Sequence, residues 1–328
     1  MAHSTLVAAK AAKYDEFYTR IEDIENELSH YEKKFEGKVV FCNCDDPQES
    51  NFWKYFYGSF KYLKLKKLIS THYEKGAQSY KLEASLDNHG NLNVITTDLN
   101  GDGDFRSEEC IEILKEADIV VTNPPFSLFR EYIKQLIDYK KEFIILGNPN
   151  AVTYKDIFTL IKDNKIWIGF KSWSKDMYFH VNKDYAEWLV ENKKEGSGYV
   201  IDSETKEVLA RVQAIWYTNI SAKGSHHTEP LGLKDKYLLE KYPKYDNYNA
   251  IEVPTVKKIP KDYYELMGVP ITFLADYCPT QFELVGIMTG AKGEGLTNGN
   301  DGKPKFYLNQ KGVYARVLIK RKREQNEN

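Results

Sequence analysis

Residues 122–126 have the side chains needed to hold an amino group. They read Thr-Asn-Pro-Pro-Phe and follow the short apolar run 119–122. Two successive prolines remove two backbone donors and restrict two φ angles. Such a loop can present the Asn123 amide and the Pro124 carbonyl as acceptors for two amino protons, while Pro125 stiffens it and Phe126 stacks on the attached ring. The alternative is a stiff strand-to-helix turn without a ligand, for which the same dipeptides are typical.

Chemistry at such a site depends on placement more than on proton transfer. A nitrogen that attacks first and loses its proton afterwards needs no strong general base. Holding two reactants in line can by itself remove roughly 7–11 kcal/mol from a barrier. The pattern therefore predicts the transfer of a group to an exocyclic amine.

The elements around this loop alternate between strands and helices. Short apolar runs predict strands, and runs with a three- to four-residue period predict helices. Ser107 and Ser127 each stand where a helix N-cap is expected. Polar residues 76–91, with two glycines, are predicted as a loop. The strands are expected at 39–44, 67–72, 92–97, 119–122 and 143–147, and the helices at 15–35, 50–63, 107–117, from 127 onward, and at 154–162.

This alternation indicates an α/β fold with a mainly parallel sheet. Ligands of such sheets bind beyond the carboxyl ends of the strands, where residues 122–126 would lie. The sequence pattern changes after about residue 165, and six prolines lie between residues 230 and 279. We therefore expect a catalytic domain over residues 1–220 and a smaller, loop-rich C-terminal region over residues 221–328, with strands near residues 312–320 that can return to the core.

Composition excludes several classes of protein. The 328 residues carry 46 basic and 48 acidic side chains, a formal charge of −2, so the surface is not basic throughout. No apolar stretch approaches the roughly 18–20 residues that cross a bilayer, and we expect a cytoplasmic protein without a membrane partner. The four cysteines form no paired metal-ligand pattern, and residues 101–104 lack the later glutamate of a calcium loop. No metal site is predicted.

Four segments together carry a family resemblance. Residues 122–126 resemble the (Asp/Asn/Ser)-Pro-Pro-(Tyr/Phe) motif of amino-methyltransferases. Residues 15–19 (Asp-Glu-Phe-Tyr-Thr), 42–47 (Cys-Asn-Cys-Asp-Asp-Pro) and 101–110 (Gly-Asp-Gly-Asp-Phe-Arg-Ser-Glu-Glu-Cys) look like the EcoRI-type family of adenine-specific DNA methyltransferases. The resemblance covers most of the chain, is densest over residues 14–160, and includes residues 312–320.

The resemblance implies a Rossmann-like class I methyltransferase fold that binds S-adenosyl-L-methionine. One departure from most methyltransferases is that residues 42–47 replace the Gly-rich turn after the first strand, a departure that the EcoRI-type family shares. An acidic residue for the cofactor ribose has only Glu74 as a weak candidate. Carried over by motif, the expected cofactor-binding residues are Tyr18, Thr19, Asn43, Asp45, Asp46, Asp104 and Phe105. Asp45 and Asp46 could instead cap the helix that follows them, and Tyr18 could be a core contact.

A base inside a duplex must leave the stack before its amino group can react. A second aromatic side chain then commonly sandwiches it, and Trp216 or Tyr217, preferably Tyr217, is the candidate here, unless both are buried in a hairpin. Lysines and histidines mixed with tyrosines further along suit phosphate contacts, although a solvated charged surface has the same composition. The predicted base- and DNA-binding residues are Trp216, Tyr217, Asn219, Lys223, His226 and His227.

Together these features predict a DNA adenine N6-methyltransferase that acts on double-stranded DNA and protects it against a partner restriction endonuclease. A methyltransferase without a partner endonuclease is equally consistent with this sequence. Other readings are a methyltransferase for guanine N2 in ribosomal RNA or for protein glutamine, and a catalytically silent DNA-binding protein with the same fold. The recognition sequence and the oligomeric state do not follow from the sequence; similarity makes GAATTC the first site to try.

Overall fold

The computed structural model describes residues 17–44, 46–74, 76–171, 173, 175–225, 227–288 and 305–323. These residues form two compact units. The first contains the described residues up to Pro149 together with Lys171–Ile220, and the second contains Asn150–Phe170 and the described residues from Ser221 onward. Residues 150–170 thus belong with the second unit, whereas the sequence placed them in the first domain.

The strands are numbered in chain order and have the following bounds: β1 Tyr18–Thr19, β2 Val39–Cys42, β3 Lys67–Thr71, β4 Tyr80–Leu86, β5 Leu92–Asp98, β6 Ile119–Thr122, β7 Glu142–Gly147, β8 Trp167–Ile168, β9 Met177–His180, β10 Tyr199–Ile201, β11 Val208–Val212, β12 Ile215–Thr218, β13 Lys244–Tyr245, β14 Tyr248–Glu252, β15 Met267–Pro270, β16 Phe282–Met288, β17 Tyr307–Leu308, β18 Lys311–Gly312 and β19 Arg316–Arg321.

The α-helices are α1 Ile21–Leu28, α2 Asn51–Gly58, α3 Glu108–Glu116, α4 Phe129–Asp138, α5 Lys155–Lys162 and α6 Lys183–Asn192. Ser107 caps α3, because its side chain accepts a hydrogen bond from the Cys110 amide at 3.2 Å. The predicted cap at Ser127 is wrong: Ser127 lies within the 3₁₀ turn Phe126–Leu128, and α4 begins only at Phe129. None of the described helices is long and apolar enough to cross a membrane.

The main sheet of the first unit has its parallel strands at the centre. Strands β3, β2, β6 and β7 are parallel neighbours in that order. Every residue of β2 and β6 is buried, as expected for strands covered on both faces. On one side β4 and β5 extend the sheet antiparallel, and on the other β12 pairs antiparallel with β7. The sheet is therefore mixed rather than mainly parallel.

The hairpin β4–β5 replaces the loop predicted for residues 76–91. Its turn is closed by Asp87, whose carboxylate accepts from the amides of His89 and Asn91, both at 2.8 Å. Of the β4 residues only Ala84 is buried, and β5 is almost wholly exposed. The hairpin lies at the edge of the sheet. The polar composition and the glycines at 76 and 90 favoured a loop, although apolar and polar side chains alternate along β4.

A small antiparallel sheet, in the order β1-β9-β11-β10, completes the first unit. Tyr18 pairs with His180 and Thr19 with Phe179. The buried Phe17 ring packs edge-on against Phe179 and Tyr185, with both centroid distances at 5.9 Å. These contacts fix the start of the described chain against the fold.

The second unit is built around a five-stranded sheet in the order β13-β14-β15-β19-β16. Only β14 and β15 pair in parallel there. The C-terminal strand β19 lies between β15 and β16, so it belongs to this sheet and not to the main sheet of the first unit. A core cluster includes the stacked rings of Tyr245 and Phe306, 4.2 Å apart.

Candidate functional site

The Asn-Pro-Pro-Phe loop begins where β6 ends. Asn123 and Pro124 are buried, whereas Pro125 and Phe126 are partly exposed. The Pro125 carbonyl accepts from the Leu128 amide at 2.9 Å and closes the short 3₁₀ turn that leads into α4. The Thr122 hydroxyl donates to the carbonyl of Asn43, which follows the neighbouring strand β2. The loop is therefore fixed at the carboxyl edge of the parallel strands, with the Phe126 ring partly open to solvent.

The Asn123 amide is held by one end only. Its Nδ2 donates to the carbonyl of Phe17 at 2.7 Å, while Oδ1 is buried and has no hydrogen-bond partner within the described part of the chain. The side chain is only 8% exposed. A buried acceptor without a partner costs about 1–3 kcal/mol of folding free energy. The Asn123 oxygen can therefore accept an amino proton, the role that the sequence predicts for it.

Thr19 provides a second buried polar atom of this kind. Its Oγ1 has no hydrogen-bond partner among the described residues, and Thr19 is 1% exposed. Its carbonyl accepts from Asn51 Nδ2 at 2.8 Å, at the start of α2. Tyr18, beside it, is half-buried. The buried Thr19 hydroxyl is therefore available to a polar ligand, as its predicted cofactor-binding role requires.

The turn after β2 is built without glycine. Cys44 has a φ of 72°, in the left-handed region where a glycine is usual. Asn43 is buried, and its Oδ1 accepts from the Tyr132 hydroxyl of α4. Burial raises the pKa of Tyr132 well above its ordinary value, so this hydroxyl keeps its proton and donates. The Asn43 oxygen thus ties the end of β2 to α4, and the predicted contact of Asn43 with the cofactor stays a prediction. Asp45 lies outside the described residues.

Asp46 organises the rest of this turn. Its Oδ1 accepts from the Tyr80 hydroxyl at 2.6 Å and from the Gln48 amide at 2.9 Å, and its Oδ2 lies 3.8 Å from His72 Nε2. The N-cap of α2 is Ser50, which accepts from the Phe52 amide at 3.2 Å. Asp46 therefore shapes the turn before the helix and is not the helix cap considered above.

Residues 99–106 form a second loop that is pinned to the end of β3. Gly103 has a φ of 78°, and a Cβ there would lie 1.9 Å from the His72 carbonyl oxygen. The Asp102 carbonyl accepts from the Glu74 amide at 2.9 Å, and the Gly101 carbonyl accepts from the Ser79 amide at 3.0 Å. This close approach accounts for the glycine and fixes the residues that follow it.

Asp104 and Phe105 differ in how they can serve a ligand. Arg106 donates to both Asp104 oxygens, at 2.8 and 2.5 Å, and these hydrogen bonds hold the pKa of Asp104 below its ordinary value. A carboxylate offers about four lone-pair sites, so the ionised Asp104 can still accept from a ligand. Phe105 is 6% exposed, with its ring edge-on to Tyr132 at 5.0 Å. Among the described residues, no group of three His, Cys, Asp or Glu side chains could hold a metal ion.

Both candidates for the second aromatic residue are buried in this fold. Trp216 and Tyr217 are 1% and 0% exposed, because β12 is buried against β7. The Tyr217 hydroxyl donates to the Asn148 carbonyl at 2.9 Å, and its ring packs 4.8 Å from that of Phe129. Neither ring has a face open to a base. Asn219 also has a structural role: its amide accepts from the Phe143 amide and donates to the Lys141 carbonyl, both at 2.8 Å.

The remaining predicted DNA contacts belong to the second unit. Lys223 is exposed. His227 stacks on Trp167 with the centroids 4.0 Å apart, and its Nε2 lies 3.3 Å from the Ser221 hydroxyl. His226 lies outside the described residues. Thus Lys223 remains a candidate cation for phosphate, whereas His227 is already packed within its own unit.

The basic stretch near the C-terminus is also packed, at least in part. Arg321 and Arg323 lie over the Tyr264 ring, at 4.9 and 5.5 Å from its centroid. Lys322 donates to the Pro279 carbonyl at 2.7 Å. These described residues support the second unit, so the stretch is not simply a solvated tail.

Several site residues were missed from sequence. Phe17 contributes a backbone carbonyl, which no side-chain pattern reveals. Tyr80 lies in the segment predicted as a loop, and the available signal was the alternation of apolar side chains at residues 80, 82, 84 and 86 with polar ones between them. Tyr132 was assigned to a helix face, but its hydroxyl partner Asn43 is 89 residues away along the chain.

Known proteins resemble the chain over nearly its full length. A family model described as "Adenine-specific methyltransferase EcoRI" matches residues 5–322. The chain is similar to the Type II methyltransferase M.EcoRI of Escherichia coli, with 43% identity over 97% of this chain and 96% of that protein. It is 41% identical to M.MgeORF184P of Mycoplasma genitalium (95% and 97% covered) and 40% identical to M.MpnI of Mycoplasma pneumoniae (84% and 83% covered). No solved structure gives a significant match.

Proposed function

The chain belongs to the EcoRI family of adenine-specific methyltransferases, and we propose that it transfers a methyl group from S-adenosyl-L-methionine to N6 of an adenine in double-stranded DNA. The observation that carries the proposal is the buried Oδ1 of Asn123, which has no partner within the described chain while Phe17 fixes the other end of the amide. An acceptor held in this way fits an amino group on a planar base.

The loop residues have complementary tasks in this proposal. Asn123 Oδ1 and the Pro124 carbonyl accept the two N6 protons, which directs the nitrogen lone pair away from the loop. Phe126 stacks its partly exposed ring on the base, and Pro125 keeps the loop stiff. None of these groups is a base near pH 7, so the loop acts by orientation, and the surplus proton leaves to solvent after transfer.

The cofactor site lies at the same carboxyl edge in this proposal. When bound, S-adenosyl-L-methionine supplies an electrophilic methyl group. Thr19 holds the methionine part through its buried hydroxyl, with Tyr18 beside it. The turn containing Asp45 and Asp46 borders the ligand, and Asp104 and Phe105 receive the adenine ring by hydrogen bond and packing. The Asn43 side chain stabilises this turn by accepting a hydrogen bond from the Tyr132 hydroxyl of α4.

The target base has to be flipped out of the duplex to reach Asn123. Flipping costs a few kcal/mol of stacking and pairing, and phosphate contacts from lysines offset part of that cost. We assign target recognition to residues 221–328, with Lys223 as one phosphate contact. A cognate restriction endonuclease would share the recognition sequence without forming a stable complex with this chain.

The test is transfer of labelled methyl from S-adenosyl-L-methionine to unmethylated duplex DNA, followed by nucleoside analysis. A duplex containing GAATTC and a scrambled duplex of equal composition form the first matched pair. N6-methyladenine in DNA is the expected product. Label in RNA or protein, with none in DNA, would overturn the substrate. DNA binding without any calorimetric signal from S-adenosyl-L-methionine would instead identify a silent binder.

A further inference from the structure

Three loops with predicted cofactor contacts meet around two side chains that the proposed mechanism does not use, Tyr80 and His72. Their rings stack with centroids 5.2 Å apart and an interplanar angle of 29°. Tyr80 comes from the first position of β4, and His72 directly follows β3. The His72 amide donates to the Tyr80 carbonyl at 3.0 Å, so the two residues are also joined through the backbone.

The first connection runs from this pair to the turn after β2. The Tyr80 hydroxyl donates to Asp46 Oδ1 at 2.6 Å, and His72 Nε2 lies 3.8 Å from Asp46 Oδ2. Asp46 also restrains the residues before α2, because its carbonyl accepts from the Glu49 and Ser50 amides at 3.0 and 2.6 Å. Burial and the Asp46 carboxylate raise the pKa of Tyr80, which keeps the donor protonated.

The second connection runs to the loop that carries Asp104 and Phe105. The Ser79 hydroxyl donates to the His72 carbonyl at 2.6 Å and lies 3.2 Å from His72 Nδ1. The Ser79 carbonyl accepts from the Leu99 amide at 2.8 Å. Gly103 packs against the same His72 carbonyl. One compact network therefore restrains the loops after β2, β3 and β5.

We infer that Tyr80 is a positioning residue for cofactor binding: through Asp46 it holds the glycine-free turn after β2 in the shape that S-adenosyl-L-methionine requires. This inference rests on the proposed function. A Gly-rich turn can follow a ligand with its own backbone, whereas this turn has Cys44 in a left-handed conformation and takes its shape from side chains of neighbouring strands. The antiparallel strand β4 is what brings a tyrosine hydroxyl to that place.

The experiment compares Tyr80→Phe with the wild-type protein by calorimetric titration of S-adenosyl-L-methionine. The phenylalanine keeps the ring against His72 and removes only the hydroxyl. We expect the dissociation constant to rise about 10-fold, close to the lower limit for one hydrogen bond to a charged group. The KM for the cofactor should rise by a similar factor, while kcat at saturating cofactor stays within about twofold of wild type.

Tyr62→Phe is the matched control. Its hydroxyl donates to the Glu32 carboxylate at 2.8 Å on an exposed surface, and it has the same chemistry without a link to the three loops. Affinity for the cofactor should not change in this variant. A fall equal to that in Tyr80→Phe would show a nonspecific effect and overturn the inference.

A double-mutant cycle tests whether Tyr80 acts through Asp46. In an Asp46→Ala background, Tyr80→Phe should cause less than a twofold further loss, because residues of one network do not add independently. Multiplying losses would overturn the inference, as would a Tyr80→Phe protein that binds like wild type. If Tyr80→Phe does not fold, Asp46→Asn is compared with Asp46→Ala, because only the asparagine keeps an oxygen acceptor for the Tyr80 hydroxyl. Cofactor affinity should fall less in Asp46→Asn, and equal losses in the two variants would overturn the inference. A wild-type protein that does not bind the cofactor would overturn the proposed function and this inference together.

Discussion

At the scale of single residues, Asn123 is oriented before any ligand arrives. A backbone carbonyl, that of Phe17, accepts from Nδ2 and so determines which end of the amide faces the loop. Because Oδ1 is buried, water competes little for its interaction with an amino group. A hydrogen bond is also stronger in this low-dielectric environment than in water. The free-energy cost of orienting the amide falls on folding and not on binding.

Asn123→Ala should therefore remove turnover while leaving the cofactor bound. We expect the single-turnover rate to fall about 100-fold or more, as for loss of one preorganised hydrogen-bonding group in an active site. The dissociation constant for S-adenosyl-L-methionine should stay within a few-fold, because the assigned partner of Asn123 is the base. Asn93→Ala, at an exposed position on β5, is the control. Unchanged turnover in Asn123→Ala would contradict the assigned role.

At the scale of elements, the loop before α3 depends on a glycine. Gly103→Ala places a Cβ 1.9 Å from the His72 carbonyl oxygen at a φ of 78°. We expect a loss of about 1–3 kcal/mol of unfolding free energy and weaker cofactor binding, since Asp104 and Phe105 follow directly. Gly101→Ala meets no atom within 4 Å and should change neither quantity. Denaturant unfolding and cofactor titration measure both, and equal behaviour of the two variants would contradict the close approach.

The helix caps give a second prediction at this scale. Ser107→Ala removes the acceptor for the Cys110 amide and should destabilise the first unit by about 1 kcal/mol. Ser127→Ala should cost less than about 0.5 kcal/mol, as for an exposed residue without such a role. Hydrogen exchange of the α3 amides locates the effect. Equal losses in the two variants would mean that Ser127 also caps a helix.

These two serines show what the sequence could and could not predict about elements. Both precede amphipathic helices, yet only Ser107 is the last extended residue before its helix. Pro125 starts a 3₁₀ turn that displaces the beginning of α4 to Phe129, and tertiary contacts, not local propensity, decide that register. Strands β2, β6 and β7 were predictable because central parallel strands are apolar on both faces. Strand β4, which lies between β5 and β3, was not predicted, since its apolar side chains stand in a polar segment bounded by Gly76 and Gly90.

At the scale of the whole molecule, part of the candidate site could be predicted, because sequence motifs that follow parallel strands lie at the same edge of the sheet. The Asn-Pro-Pro-Phe loop and the loop 99–106 do lie at ends of strands. The burial of Trp216 and Tyr217 could not be predicted, because β12 pairs antiparallel with β7, and an antiparallel strand buried on both faces cannot be recognised from four residues. The placement of residues 150–170 with the second unit likewise depends on contacts distant in sequence.

Charge supplies the prediction at this scale. With a net charge of −2, the protein has no overall attraction for DNA, and binding has to come from local cations. Lys223→Ala should weaken DNA binding across all sequences and reduce the slope of log affinity against log salt by about 1. Lys61→Ala removes an equally exposed lysine from the first unit and should leave that slope unchanged. A salt series of fluorescence anisotropy titrations decides this, and an unaltered slope for Lys223→Ala would remove it from the DNA interface.

The short segment 17–19 has a thermodynamic consequence. Phe17 accepts a hydrogen bond from Asn123, and Thr19 accepts one from Asn51 beside the cofactor turn. A shift of this segment on binding of one ligand in the proposed function would therefore reach the proposed site of the other. Coupling between two sites is reciprocal. In the proposed function, the factor by which the cofactor changes the affinity for the flipped base therefore equals the factor by which the base changes the affinity for the cofactor. The same reciprocity holds for the two products, so departure of one would change the affinity for the other by an equal factor.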